Sequence, residues 1–373
     1  MSLRRGSPLD GLRVTDAAWM RRALFHAGRA IGNTSPNPMV GAVVVSSDGL
    51  VVGEGRHHRA GEPHAEVHAL DEAGAAARGA TLYVTLEPCC HTGRTGPCTR
   101  RILDAGVVRV VAAMPDPNRL VSGCGFEQLR AHGVSVDIGL GRQQAERLNR
   151  GFLSVQSRGR PFVMLKAATS LDGCIAAAVG RRTNLTSTEA NRRTHLLRAS
   201  VDAIGVGSGT ILVDDPLLTV RECHRVSRLA RVVFDRRLRT PPHARLLSTV
   251  DHGPVIILTG ETAATAAPAR VRALEEAGAE VVPTPGDLRA SLTLLVARGI
   301  LTLLVEGGGA LHDAFWAMGL VDEVHLVVAP VVLGSAGVPL MGGRPFPRAA
   351  LDLTLVEPRG PDTWIEADVY RAR

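Results

Sequence analysis

Apolar residues along this chain switch repeatedly between a helical and a strand-like period. Behind Thr15, a candidate N-cap with Asp16 in the first turn, Trp19, Leu24 and Ile31 recur at near-helical spacing as far as Gly32-Asn33. Val43–Val45 and Leu50–Val52 are short apolar runs joined by Ser46-Ser47-Asp48-Gly49, a hairpin signal. Pro63 opens a helix that carries His64 and Glu66 in its first turn and continues through Ala69-Leu70. Thr81 to Leu86 alternates like a strand. Arg101 to Ala105 reads as a short helix closed by Gly106, and Val107 to Ala113 as a buried strand. Strands alternating with helices predict an α/β layered domain.

An amphipathic helix ends near Val155, and the polar stretch Ser157-Arg158-Gly159-Arg160-Pro161 is the best linker candidate. Phe162 to Ala168 then starts a new strand, and a second α/β pattern runs to the C-terminus. Within it, a strand over Leu301 to Val305 meets Gly307-Gly308-Gly309 and a helix through Leu311 and Phe315. No internal repeat is evident. A chain of 373 residues, 45% hydrophobic, suits two globular domains of ordinary size. The predicted boundaries are 13–157 and 161–373.

Charge changes the picture only a little. The formal net charge of +7 comes mostly from arginine and invites anionic partners, nucleic acid among them. The arginines are dispersed, however, and aromatics make up 3% of the chain, without the basic, aromatic-interleaved stripe that stacks bases. Small phosphorylated substrates explain the charge equally well, as does a solvated surface. Met1 to Pro8 has no apolar run behind its arginines, and no later apolar stretch is long enough to span a bilayer, so a soluble cytoplasmic protein is expected. The six cysteines are 89, 90, 98, 124, 174 and 223. Three cluster, which suits metal binding in a reducing compartment better than a disulfide framework; Cys124, Cys174 and Cys223 read as buried small residues.

The candidate chemistry centres on His64-Ala65-Glu66 and the run Pro88-Cys89-Cys90-His91-Thr92-Gly93-Arg94-Thr95-Gly96-Pro97-Cys98. Catalytic zinc takes three N/S ligands and keeps a fourth position for water. His64, Cys89 and Cys98 supply such a set, with Glu66 beside them to move protons. A structural zinc would close with a fourth ligand, for which Cys90 or His91 is the rival candidate. Residues two apart point to nearly opposite faces in mid-helix, so periodicity alone does not bring His64 and Glu66 to one metal.

H-x-E followed by P-C…C is the signature of zinc-dependent base deaminases. With the long loop between Cys89 and Cys98, the motif resembles the deaminase half of the bifunctional riboflavin-biosynthesis deaminase/reductase family. Lys166-Ala167-Ala168-Thr169-Ser170-Leu171-Asp172-Gly173, Gly207 to Arg221 and Val305-Glu306-Gly307-Gly308-Gly309 resemble its reductase half, in order. The resemblance implies a cytidine-deaminase-like three-layer N-terminal domain and a dihydrofolate-reductase-like α/β C-terminal domain. It implies one zinc per chain, NADPH, and a small phosphorylated pyrimidine, 2,5-diamino-6-ribosylamino-4(3H)-pyrimidinone 5′-phosphate. It also carries residue roles: Glu66 catalytic; Ala168, Asn184, Thr210, Asp214, Gly308, Gly309 and Ala310 on the cofactor; Arg182, Arg198, Leu218, Arg221 and Glu306 on substrate. A homo-oligomer without nucleic-acid or membrane partners is expected.

One departure stands out. Where the family commonly has Ser-x-Trp-Ile, this chain has Arg182-Thr183-Asn184-Leu185, and Asn184 cannot supply an aromatic contact. Two other functions compete with the family reading. A nucleic-acid base deaminase with a C-terminal binding domain is favoured by the basic charge alone, and a zinc-stabilised scaffold without either activity is the non-enzymatic alternative.

Overall fold

The computed structural model describes residues 15–90, 96–118, 122–223, 225, 227–341 and 350–370. The chain divides into two compact units, Met1–Arg158 and Gly159–Arg373.

The first unit is built on a five-stranded sheet of order β2-β1-β3-β4-β5, with β1 Gly41–Val45, β2 Val51–Arg56, β3 Thr81–Val84, β4 Arg109–Ala112 and β5 Ser135–Ile138. β1 runs antiparallel to both β2 and β3, and the rest are parallel. Its helices are α1 Asp16–Gly28, α2 Ala65–Ala73, α3 Cys98–Asp104, α4 Cys124–Ala131, α5 Arg142–Leu148 and α6 Arg150–Arg158. Glycines in the strands show where two helices lie. A Cβ on Gly41 would fall 2.0 Å from the Ala23 carbonyl of α1, and one on Gly55 would fall 2.2 Å from the Ala65 carbonyl of α2. Gly41 neighbours Ala42, the register partner of Gly55, and successive strand residues face opposite ways. α1 and α2 therefore cover opposite faces, giving three layers.

The first helix is shorter than its apolar pattern predicts. It ends at Gly28, and the chain continues to Asn33 in turns. Thr15 sits at the N-cap position but makes no side-chain capping bond, because its backbone is helical (φ −70°, ψ −27°) where capping needs an extended residue. Asp16, 1% exposed, instead turns inward to pair with Arg109 at 2.9 Å and to accept from the Tyr83 hydroxyl, tying α1 to β3 and β4.

The second unit carries a nine-stranded sheet of order β11-β10-β9-β8-β12-β6-β13-β16-β15. The strands are β6 Phe162–Thr169, β7 Cys174–Ala176, β8 Ala203–Gly207, β9 Ala230–Phe234, β10 Val255–Gly260, β11 Ala279–Thr284, β12 Thr302–Gly307, β13 Glu323–Val328, β14 Val338–Pro339, β15 Ala350–Arg359 and β16 Asp362–Tyr370. Pairing is parallel from β11 to β13 and antiparallel through β16 and β15; β7 and β14 form a separate small pair. The helices are α7 Thr188–Ala199, α8 Ser208–Asp214, α9 Glu261–Ala266, α10 Pro268–Glu276, α11 Leu288–Val296 and α12 Gly309–Ala317. Alternate residues of β6 enter different cores. Phe162 and Met164 join Ala190, Leu197 and Ile211 from α7 and α8, while Val163 and Leu165 join Leu292, Leu295 and Phe315 from α11 and α12. This central strand is buried on both faces, which is why it reads as a continuous apolar run.

Candidate active sites

In the first unit, His64 is the N-cap of α2 in extended conformation (φ −74°, ψ 165°), and Glu66 is the second residue of the helix. The mid-helix rule for residues two apart therefore does not apply to them. Cys98 opens α3. The His64 Nδ1 lies 3.2 Å from the Cys98 Sγ and 3.7 Å from the Cys89 Sγ, and all three ligand atoms fall within 4.8 Å of one another. The Cys98 backbone N–H donates to the Cys89 Sγ at 3.3 Å. Hydrogen bonding from Cys98 holds the Cys89 thiol down to about 4, while the same contact and burial push Cys98 up. Two sulfurs and an imidazole nitrogen at this spacing fit a zinc ion, whose preferred donors they are.

Glu66 is 3% exposed. Burial raises its pKa above the ordinary carboxylate range, and its carboxyl meets the Cys98 thiol. Sequence reasoning missed what stands behind His64. The His57 ring, 2% exposed, packs edge-on against it with centroids 5.5 Å apart. His57 Nδ1 lies 3.2 Å from the Pro63 carbonyl, which can only accept, so Nδ1 carries the hydrogen. Nε2 is then free to accept from the Asn37 side-chain amide at 3.1 Å. Burial lowers the His57 pKa, in keeping with this neutral ring. Asn37-Pro38 before β1 and the histidine closing β2 were the available signals.

The cysteine reading needs one correction. Cys124 is not a lone buried residue: its sulfur is joined to that of Cys90, with the Cα atoms 6.2 Å apart. The Glu87 carboxylate explains the encounter. It accepts from the backbone N–H groups of Asp116, Gly123 and Gly125 at 2.9–3.0 Å and so draws the start of α4 against the Pro88–Cys90 run. A separation of 34 residues carries no local trace of such a contact. A sulfur so engaged is no thiolate ligand. His91, the other rival, lies outside the described residues. Cys174 is buried, and Cys223 is half-buried with its thiol towards the His195 carbonyl.

In the second unit, Arg198 on α7 grips Glu306 near the end of β12 through two parallel bonds, Nε–Oε1 at 2.7 Å and Nη2–Oε2 at 2.6 Å. Burial would raise Glu306, but Arg198, with Lys166 and His195, outweighs it and holds the carboxylate below its usual range. Burial lowers the Lys166 amine while Glu306 pulls it up. Arg221 is exposed, and its backbone N–H donates to His195 Nδ1 at 3.2 Å. Leu218 is 4% exposed and has φ +52°; Asp215 and Glu222 beside it also have positive φ. Three such non-glycine residues in one loop mark strain of the kind held at functional sites. Arg182 is exposed and offsets the burial that raises Asp214.

A hollow of about 680 Å³ runs beside α8 and the start of α12, lined in part by Thr210, Gly308, Gly309 and Ala310. Ala168, Asn184 and Asp214 are not among its lining residues. A Cβ at Gly307 would lie 2.9 Å from the Thr210 hydroxyl, and one at Gly309 would lie 3.2 Å from the Leu340 carbonyl. Bare backbone at a helix start leaves a cradle that suits the pyrophosphate of a dinucleotide. Arg236, Arg237 and Arg239 also line the hollow. These arginines and His195 escaped sequence reasoning, and Lys166 was read only as the first residue of a motif, without a role. Of the residues missed, only the basic run Arg236-Arg237-Leu238-Arg239 was a visible signal.

Among the described residues no helix is long and apolar enough to cross a membrane. Residues 13–114 match the family model "Cytidine and deoxycytidylate deaminase zinc-binding region", and residues 161–365 match "RibD C-terminal domain". The riboflavin biosynthesis protein RibD of Aquifex aeolicus is 41% identical over 87% of this chain and 89% of its own. A crystal form of Acinetobacter baumannii RibD superposes with a TM-score of 0.87 at 36% identity, covering 96% of this chain and 99% of that one. A Thermotoga maritima structure, described as a diaminohydroxyphosphoribosylaminopyrimidine deaminase/5-amino-6-(5-phosphoribosylamino)uracil reductase, gives a TM-score of 0.85 at 32% identity, with 95% and 99% covered. With its cytidine-deaminase-like first domain and dihydrofolate-reductase-like second, the chain belongs to the RibD family of bifunctional deaminase/reductase enzymes of riboflavin biosynthesis.

Proposed function

We propose that a domain bounded at 13–157 deaminates 2,5-diamino-6-ribosylamino-4(3H)-pyrimidinone 5′-phosphate, and that a domain at 161–373 reduces the ribosyl group of the product to ribityl with NADPH. The observation that carries the reading is a buried Glu66 carboxyl set against the His64, Cys89 and Cys98 cluster. These three residues hold one zinc, and zinc when bound activates water for attack on the amine-bearing ring carbon. Glu66 would carry the two protons of that water in turn, the first to the ring nitrogen and the second, from the new hydroxyl, to the amine that departs as ammonia. Its raised pKa suits a group that must both accept and give a proton near neutrality. His57 holds the His64 ring in orientation from behind.

In the reductase domain the hollow beside α12 holds NADPH, which supplies the hydride. Thr210, Gly308, Gly309 and Ala310 line its seat. Arg198, Leu218, Arg221 and Glu306 fix the sugar phosphate, with Arg221 as the exposed guanidinium, one nitrogen of which lies 3.5 Å from the His195 ring, turned to meet the phosphate. Reduction also needs one proton, which the Lys166 ammonium would donate; burial, opposed by Glu306, makes that ammonium the stronger acid. Asp214, Ala168, Arg182 and Asn184 complete the family set. Asn184 is exposed and brings no aromatic face to the nicotinamide. The enzyme works in the cytoplasm as a homo-oligomer, on a small phosphorylated pyrimidine, with neither nucleic acid nor membrane as partner.

The test is incubation of the protein with the diaminopyrimidine phosphate, with and without NADPH, followed by mass analysis. Exchange of the amine for oxygen is expected without NADPH, and addition of two hydrogens only with it. Unchanged substrate under both conditions would defeat the reading.

A further inference from the structure

Cys90 and Cys124 take no part in the mechanism, yet Cys90 is the immediate neighbour of Cys89 in the ligand cluster. The pair is brought together by more than its sulfurs. The buried Glu87 carboxylate, two residues before Cys89, accepts from the N–H groups of Gly123 and Gly125 at 3.0 and 2.9 Å, on either side of Cys124. α4 is firmly seated behind them. Its Phe126 and Leu129 are buried in the core, and its Gln128 side chain accepts from the Thr99 hydroxyl of α3 at 2.7 Å. The Cα separation of 6.2 Å lies within the ordinary span of a disulfide. None of the Glu87 contacts involves a sulfur, so they keep the two cysteines in register with the bond open as well as closed.

The bond is also within reach of solvent. Cys124 is exposed and Cys90 half-buried, so a small thiol can reach it. Exposed disulfides are the exchange-prone kind, and in a reducing compartment such a bond opens and closes with the supply of thiol. Closed, it fastens the backbone beside Cys89 to α4. The Cys89 sulfur in turn accepts from the Cys98 N–H at 3.3 Å and lies 3.7 Å from His64 Nδ1. A shift at Cys90 passes to Cys89 across one planar peptide.

We propose that Cys90 and Cys124 form a reversible thiol–disulfide switch on the deaminase metal site, which holds Cys89 in place when closed and loosens it when open. The inference rests on the reading of His64, Cys89 and Cys98 as the zinc ligands. The chemistry is exchange with a dithiol. One thiolate of the dithiol attacks the exposed Cys124 sulfur, the S–S bond breaks, and Cys90 leaves as a thiolate that takes up a proton. The second thiolate of the dithiol then attacks the mixed disulfide, freeing Cys124 as a thiol and leaving the dithiol as its cyclic disulfide. Two electrons and two protons pass from the dithiol to the protein. A small-molecule disulfide in excess drives the same steps backwards.

The experiment treats the zinc-loaded full chain with oxidised glutathione or with dithiothreitol, each then removed by gel filtration without air. Alkylation with peptide mass analysis reads the free thiols. Zinc transfer to a chromophoric chelator reads the grip on the metal, independent of turnover. Oxidised protein should protect Cys90 and Cys124 from alkylation. Reduced protein should expose both and hold zinc about 10–100-fold less well, the loss typical when a group that orients a ligand is removed. Re-oxidation should restore the slow release. Cys90→Ser and Cys124→Ser should release zinc at the fast rate after either treatment, while Cys223→Ser, in the second unit, should respond like the wild type. Equal alkylation of Cys90 and Cys124 after both treatments would overturn the switch, as would zinc release no faster from the reduced protein than from the oxidised. A protein that takes up no zinc in either state would overturn the zinc reading, and the switch with it.

Discussion

Gly55→Ala tests whether the deaminase site is positioned from behind. A methyl at Gly55 would lie 2.2 Å from the Ala65 carbonyl oxygen, 2.7 Å from the Ala69 nitrogen and 2.8 Å from the His68 Cβ. The first two are backbone atoms of α2, so no rotamer change relieves the clash. Ordinary contact begins at 3.4 Å, so either α2 or β2 must move by about 1 Å. Overpacking of this kind costs about 1–3 kcal/mol. α2 carries Glu66 and is capped by His64, and a ~1 Å misplacement of reacting groups can cost about 10²-fold in rate. The expected variant is folded and less heat-stable, with deamination down by about two orders of magnitude. Its reduction of an already deaminated substrate should be unchanged. Deaminase turnover, zinc content by mass spectrometry and thermal melting of one preparation decide the matter. A variant that melts and deaminates like the wild type would refute the reasoning, since the helix would have yielded without carrying its residues along.

Further predictions concern single groups. Glu66→Gln should keep zinc and fold but lose about 10²–10⁴-fold in deamination, because an amide shuttles no proton; normal turnover in a zinc-replete variant would remove Glu66 from its role. Arg198→Met should destabilise the protein by about 3–5 kcal/mol near neutral pH by leaving buried Glu306 charged and without its hydrogen-bonded guanidinium. Because Arg198 lowers the Glu306 pKa, the pair's stabilisation is full above the ordinary carboxylate value near ~4.3 and fades as pH falls through the lower folded one. The gap between wild type and variant should therefore close in acid, as melting curves across pH would show. Arg221→Ala should weaken the substrate by about 1.5–3 kcal/mol and leave NADPH binding alone; separate titrations showing the reverse would mean the two subsites are exchanged.

How far the sequence reaches depends on how local each cause is. β1, β2, α2 and α3 follow from nearby apolar runs, turn residues and a helix-opening proline, so most of their placement was legible. The start of α1 was placed correctly at Thr15, although that side chain makes no cap, while its end erred: the helix stops at Gly28, short of Gly32-Asn33. The nearness of His64 to Glu66 was legible as a motif but not as geometry. Its physical basis is that one residue precedes the helix and the other is inside it. Contacts between distant segments left no local trace: the Cys90–Cys124 pairing, His57 behind His64, and His195 beneath Arg221. The strained loop at Leu218 was equally silent, because a leucine does not announce a positive φ.

The helix starts at His64 and at Pro97-Cys98 bear on more than catalysis. Neither α2 nor α3 receives a side-chain hydrogen bond at its N-cap, a contact worth about 0.5–2 kcal/mol where it is made. The places where serine or aspartate would fasten these turns are given to a candidate ligand and to the proline before another. The first N–H groups of α3 are held only by Cys89, through its sulfur and its carbonyl, and those of α2 by no side chain at the cap, so an ion bound where the two helices meet would act as their common clasp. Stripping it should loosen the first turns of both helices while leaving the nine-stranded sheet untouched, so amide hydrogen exchange should accelerate at residues 65–68 and 98–101 and nowhere in the second unit.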